Sequence, residues 1–119
     1  MRVKVLSIRQ PYVEWIVSGK KKIELRTWNT NFRGEFFIHA SGKHDKLPTG
    51  VIIGKAELVD VKKYENEEEF LKDKKKHLSN KWLSPGSKRP SQYGFVLKNA
   101  QKIKPIKVKG KLGFWNYEL

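Results

Sequence analysis

The chain has 119 residues, 38% hydrophobic and 12% aromatic, enough to enclose one core and too apolar for a disordered basic tail. Lysine and arginine number 26 against 12 aspartate and glutamate, a net charge of +14 that favours a polyanionic partner, with nucleic acid ahead of an acidic membrane surface. Cysteine is absent, which removes disulfides, thiol catalysis and cysteine-ligated zinc.

No apolar run approaches the roughly 18 residues of a membrane span, and residues 1–20 lack a signal-peptide core. A single domain over residues 1–119, cytoplasmic, monomeric and free of membranes, is the expectation.

Arg2 to Ile8 alternates into a first strand, broken at Gln10-Pro11. Pro11 suits the first turn of a helix. Tyr12, Val13, Trp15, Ile16 and Val17 form that helix, and Gly19 is placed to stop it as a left-handed cap. Ile23–Trp28 reads as a strand, followed by the polar turn Asn29-Thr30-Asn31 and a strand over Gly34–Ala40. Ser41–Gly50 is a loop, and Val51–Val61 a long strand with Gly54 as a bulge or close-approach point.

Asn66 and Glu69 resemble a capping box at the start of a solvated helix with an apolar stripe of Phe70, Leu71 and Leu78. Ser79–Pro90 is irregular. Tyr93–Leu97 is a strand. Ile106–Leu112 is another, with Ile106, Val108 and Leu112 inward and Lys107, Lys109 and Lys111 outward. Gly113 to Tyr117 closes the chain. Five to seven short strands with two or three short helices imply a mainly β, α+β fold, a small barrel with helices at its side or ends.

Residues 19–26 concentrate the chemistry. On a strand, Glu24 and Arg26 share a face about 6–7 Å apart, and Lys21 in the preceding turn folds back towards them. Two cations around a carboxylate suit an anionic or hydrogen-bonding ligand. Alternatively Glu24–Arg26 is a surface pair worth under about 1 kcal/mol, and on spacing alone this plainer reading is the stronger.

The spacing Gly19-x-Lys21-x-x-Glu24-x-Arg26 resembles the GxKxxExR signature of the ASCH domain, a relative of the PUA-like barrels. The likeness extends upstream to Leu6-Ser-Ile-Arg-Gln-Pro-Tyr12 and downstream to Arg33-Gly34 and His39-Ala40-Ser41. It returns at Leu112-Gly-Phe-Trp115. It implies a mixed barrel with a cleft for RNA or a nucleoside lined by Lys21, Glu24 and Arg26. It also implies action mainly on RNA, with some members hydrolases of acetylated cytidine or of RNA. In the deacylating branch the lysine pairs with a threonine nucleophile where this chain has Glu24, and a later carboxylate completes the set. Thr27 points to the other face, and Glu65 and Glu67 to Glu69 match that carboxylate only by rough position. If the chain is an enzyme, the resemblance makes Lys21 and Glu24 its catalytic pair, activating a water.

Around this centre the expected binding set is Ser7, Arg9, Gln10, Lys20, Lys21, Arg26, Trp28, Arg33, His39, Lys107, Lys109 and Lys111. Arg9 would hold a phosphate and Gln10 a base edge. Trp28 would stack on a base or cover the barrel, and Phe37 shares that choice. His39 is a cleft acid or base, or a structural hydrogen-bonding group. The three lysines track phosphates or guard an edge strand. His39, His44 and His77 lack metal-ligand spacing, so neither metal nor cofactor is expected. RNA is the expected partner, single-stranded DNA the second. The expected function is RNA binding, with a hydrolase of the same fold and a protein-interaction module as alternatives.

Overall fold

A computed structural model describes residues 1–86 and 88–119. The elements run β1 (Arg2–Arg9), α1 (Tyr12–Val17), β2 (Ile23–Arg26), β3 (Gly34–Ser41), β4 (Val51–Tyr64), α2 (Glu67–Lys72), α3 (Lys74–His77), β5 (Gln92–Lys107) and β6 (Phe114–Glu118). The six strands form one mixed sheet in the order β2-β5-β4-β3-β1-β6, in which only β1 and β3 run parallel. The fold is mainly β with three short helices, as expected, but the sheet is not closed. The four-residue β2 pairs with β5 alone, which leaves β2 and β6 as edges. Side chains bridge the gap instead. Arg26 Nη2 at the end of β2 donates to Ser7 O of β1 at 2.8 Å, and Trp28 meets Phe114 of β6 edge to face.

Strand alternation divides the apolar residues between two cores. Leu6, Ile8, Phe36, Ile38, Leu58 and Phe95 pack with Val13 and Ile16 of α1 in the larger. Val5, Ile52 and Trp115 make the smaller, covered by Phe37, Ile106 and Val108. Central β1 is therefore buried on both faces, and Val5 to Ile8 reads as a continuous buried run. Trp15 of α1 is half-buried and stacks edge-on with Tyr12.

Gly19 ends α1 at φ +83°, a conformation that strains any residue with a Cβ. A Cβ on Gly54 would lie 2.5 Å from Val17 Cγ1, so glycine is what lets α1 settle onto β4. Asn66 caps α2, its side chain accepting from Glu69 N at 2.9 Å.

Four sequence expectations change. Pro11 stands at the N-cap position of α1, ahead of its first turn. The single helix after Asn66 is two, broken where the Asp73 carboxylate accepts from Tyr64 (2.7 Å) and Lys62 (3.0 Å). His77 is buried there against Phe70, while Leu71 stays exposed. Tyr93–Leu97 and the start of the Ile106 strand are one strand, β5, because β4 pairs along its length and absorbs residues 103–105 in a register shift. The chain leaves the sheet after Lys107, so Lys109 and Lys111 lie in a connecting segment and Leu112, expected inward, is 97% exposed. Ser87, within the loop expected over Ser79–Pro90, lies outside the described residues.

Candidate functional site

The turn at Gly19 and a hydrogen bond from Lys21 N to Trp15 O (2.8 Å) send Lys21 inward instead of towards solvent. Its Nζ donates to His77 O at 2.6 Å, lies 5.4 Å from the Tyr12 ring centre, and is 3.9 Å from Glu24 Oε1. Glu24 Oε2 accepts from Arg26 Nη2 at 2.9 Å, the same nitrogen that reaches Ser7 O. A relay thus runs from α3 through Lys21, Glu24 and Arg26 to β1. Lys21 is 5% and Glu24 6% exposed, so the surface-pair reading of residues 24–26 is overturned. Strand periodicity placed Glu24 and Arg26 on one face; α1 and α3 bury that face.

Burial dominates the titration of this cluster. It pushes the Glu24 carboxyl above the usual carboxylate range, against the pull of Arg26 and Lys21. It pushes Lys21 below the ordinary ammonium value, opposed by Glu24 and reinforced by Arg26. Proximity holds this cluster together while desolvation draws both partners towards their neutral forms.

Lys21 and Arg26 each line two clefts, Lys21 one of about 520 Å³ with Gly19 and Lys76, and Arg26 one of about 230 Å³ with Trp28 and Gln92; the other two hold the remaining polar groups of the site. Lys21 and Glu24 line one of about 290 Å³, walled by Tyr12, Trp15 and His77. Arg26 lines the other, about 560 Å³, with Ser7, Arg9, His39, Lys109 and Lys111. That larger lining contains five potentially cationic side chains and no carboxylate. Arg9, Lys109 and Lys111 take part in no ion pair among the described residues. In its wall Trp115 Nε1 donates to Ser7 Oγ (3.0 Å), and Ser7 Oγ donates to Lys111 O. His39 Nε2 donates to Val108 O at 2.7 Å. His39 Nδ1 and Arg26 Nε are buried without a hydrogen-bond partner.

The remaining residues of the expected set scatter. Gln10 is buried, with Nε2 donating to Pro48 O and Oε1 accepting from Glu14 N, so its amide braces α1 and faces neither cleft. Arg33 is exposed and donates to Thr30 O and Phe32 O. Lys20 is exposed over the Trp15 ring, and Lys107 is exposed on β5 outside both linings. Trp28 packs edge-on against Phe95 and Phe114 and covers the core, with Arg26 5.9 Å from its ring. Phe37 covers the smaller core. Glu65 and Glu67 to Glu69 are exposed, and Glu24 is the one carboxylate lining the Lys21 cleft.

Tyr12 and Trp15 were not singled out for the site. Their i, i+3 spacing on a helix ahead of the signature was a usable signal. His77 enters through its backbone carbonyl, for which sequence carries no signal.

The sequence that folds into this six-stranded mixed sheet matches a known family. The ASCH domain profile covers residues 6–107, and the chain belongs to the ASCH domain family. Among solved structures it is similar to the ASCH protein of Zymomonas mobilis, at 22% identity and a TM-score of 0.65 over 87% of this chain and 72% of that one. A serine-to-alanine variant of that protein aligns with a TM-score of 0.67, at 22% identity over 88% of this chain and 73% of the other. A tyrosine-to-phenylalanine variant aligns at 0.61, with 22% identity over 87% and 74%. At this identity the likeness is one of fold. No curated protein matches the sequence.

Proposed function

We propose that this chain is an RNA-binding ASCH domain whose recognition cleft is the basic cavity anchored by Arg26. The observation that carries the reading is the lining of that cavity: Arg9, Arg26, Lys109 and Lys111 around Ser7 and His39, with no acidic side chain. Free cations converging on a concave surface attract phosphates and release counterions on binding. Membership of a family that generally binds nucleic acid, and the net charge of +14, support the same partner. In this reading Lys21 and Glu24 act from behind. Glu24 holds the Arg26 guanidinium through Nη2 at 2.9 Å.

Titration of a short structured RNA at two salt concentrations tests it. Binding that weakens steeply with salt and falls further in Lys109→Ala/Lys111→Ala is expected. Salt-independent binding, or none, would overturn it and favour a protein-interaction role.

A second reading, a hydrolase of a modified nucleoside, is favoured by one observation. Lys21 and Glu24 lie 3.9 Å apart in a cleft with two aromatic walls, each drawn towards its neutral form. In that reading the pair takes a proton from a water that attacks the acyl carbon, and the acyl C–N bond breaks as that proton passes to the departing amine. Acetylated cytidine offered as free nucleoside distinguishes the readings, because a neutral substrate needs the Lys21 cleft and not the basic one. Turnover lost in Lys21→Ala supports the hydrolase; an intact nucleoside refutes it for this substrate.

A further inference from the structure

The segment between β5 and β6 is pinned to the sheet at three backbone points. Val108 O accepts from His39 Nε2, Lys111 O from Ser7 Oγ, and Gly113 O from Ser7 N at 3.1 Å. His39 sits tight beneath it: a Cβ on Gly110 would lie 2.5 Å from the imidazole ring. From this anchored segment Leu112 projects almost wholly into water at 97% exposure, the most exposed large apolar side chain among the described residues. It stands at the rim of the basic cavity, one residue after Lys111 and three after Lys109.

Three features need a common occupant. The cavity, about 560 Å³, is within the roughly 300–1,000 Å³ of small-molecule sites. Two of its lining residues, Arg26 and His39, each carry a buried polar atom without a partner, Nε and Nδ1. The rim adds unpaired cations where a backbone would pass, and a held apolar side chain beside them. Apolar side chains entering between base steps unstack them, and a base removed from its stack needs a pocket.

We propose that the cavity takes a single nucleotide turned out of a helical RNA, and that Leu112 occupies the gap it leaves. The proposal rests on the RNA-binding reading above and specifies its substrate: a helix with one extrahelical base, its flanking phosphates on Arg9, Lys109 and Lys111. Single-stranded and bulged bases are the ones proteins splay out and read in RNA. Cations around a cavity of this size suit any base, so recognition is of the displaced nucleotide and not of one base identity.

The test is a short RNA duplex with one bulged 2-aminopurine, stacked in the free duplex, titrated with the full chain while binding is followed by anisotropy and unstacking by 2-aminopurine fluorescence. The parent protein is expected to raise the fluorescence several-fold at saturation. Leu112→Ala, whose side chain supports nothing in the fold, is expected to bind within about threefold because phosphate contacts carry most of the affinity, yet to lose most of the rise. Ser41→Trp, filling the cavity from the end of β3, loses the rise as well. Binding by the parent with no rise refutes the extruded nucleotide and leaves the RNA reading standing. An undiminished rise in Leu112→Ala refutes the wedge, and one in Ser41→Trp places the base elsewhere. Absence of salt-dependent binding brings down the RNA reading and this proposal together.

Discussion

Replacing Glu24 by alanine tests the buried relay most directly. The carboxylate lies between two cationic groups, 3.9 Å from Lys21 Nζ and 2.9 Å from Arg26 Nη2, and both neighbours are largely out of water. Alanine leaves two desolvated cations facing each other across a small void. Removing one partner of a buried charged set costs about 3–5 kcal/mol, because the partner left behind stays buried and uncompensated. Lys21 relieves part of this by giving up its proton, since burial already pulls it below its ordinary value. The lower end of the range, about 3 kcal/mol, is therefore the expectation. At about 4 °C per kcal/mol for a domain of this size, the melting temperature falls by roughly 12 °C. Glu24→Gln keeps the volume and an acceptor for Arg26, and should cost about 1–2 kcal/mol. Urea unfolding followed by tryptophan fluorescence gives both numbers, with the slope against urea unchanged if the compactness of the two states is unchanged. A loss below about 1 kcal/mol in Glu24→Ala would refute the reasoning, because that is the scale of an exposed pair.

The other predictions concern pH, salt and packing. His77 is held below its usual pKa chiefly by burial, so the unfolded chain binds the extra proton first. Stability should therefore fall as pH drops below 6.5, by at most about 1.4 kcal/mol per pH unit, and His77→Gln should flatten that slope in urea titrations. Glu24 runs the opposite way. Its raised pKa makes the folded chain bind the proton first, so its own contribution declines as pH rises from the ordinary carboxylate value of 4.5, and Glu24→Gln removes that decline. For RNA binding, losing Lys109 and Lys111 together should make the slope of log K against log salt shallower by about 1.4 to 1.8, from the single-strand to the duplex value for two phosphate contacts. Gly54→Ala, with its Cβ 2.5 Å from Val17 Cγ1, should destabilise by about 1–3 kcal/mol in urea, and an unchanged midpoint would mean α1 does not rest on β4 as described.

Much of the scaffold was legible in local chemistry. The alternation of Phe36, Ile38 and Ala40 against Phe37 and His39 assigned each residue to its face, because side chains on a strand alternate whatever lies alongside. Gly19 as a left-handed cap, Asn66 as an N-cap and Gly54 as a close-approach point rest on conformational and hydrogen-bonding needs that a single residue expresses. The spacing of Lys21, Glu24 and Arg26 likewise brought the three together before any fold was known.

What needed the tertiary structure was the other side of each pattern. Periodicity shows that Glu24 and Arg26 share a face, but their burial depends on α1 and α3 arriving over it, a long-range event with no local mark. The break at Asp73 depends on Tyr64 and Lys62 from β4, and the continuity of β5 on β4 pairing along it. Leu112 fits an alternating pattern with Ile106 and Val108, yet the sheet ends first because the carbonyls of Val108, Lys111 and Gly113 are taken by His39 and Ser7. For the same reason Gln10, Arg33 and Lys107, plausible as ligand contacts by type, belong elsewhere, while Arg9, Lys109 and Lys111 meet around one cavity. The sequence by itself determined which residues can bond, turn or alternate, since those are properties of a residue and its neighbours. Which of them lose their water, and which meet around a ligand, only the packing of distant segments decided.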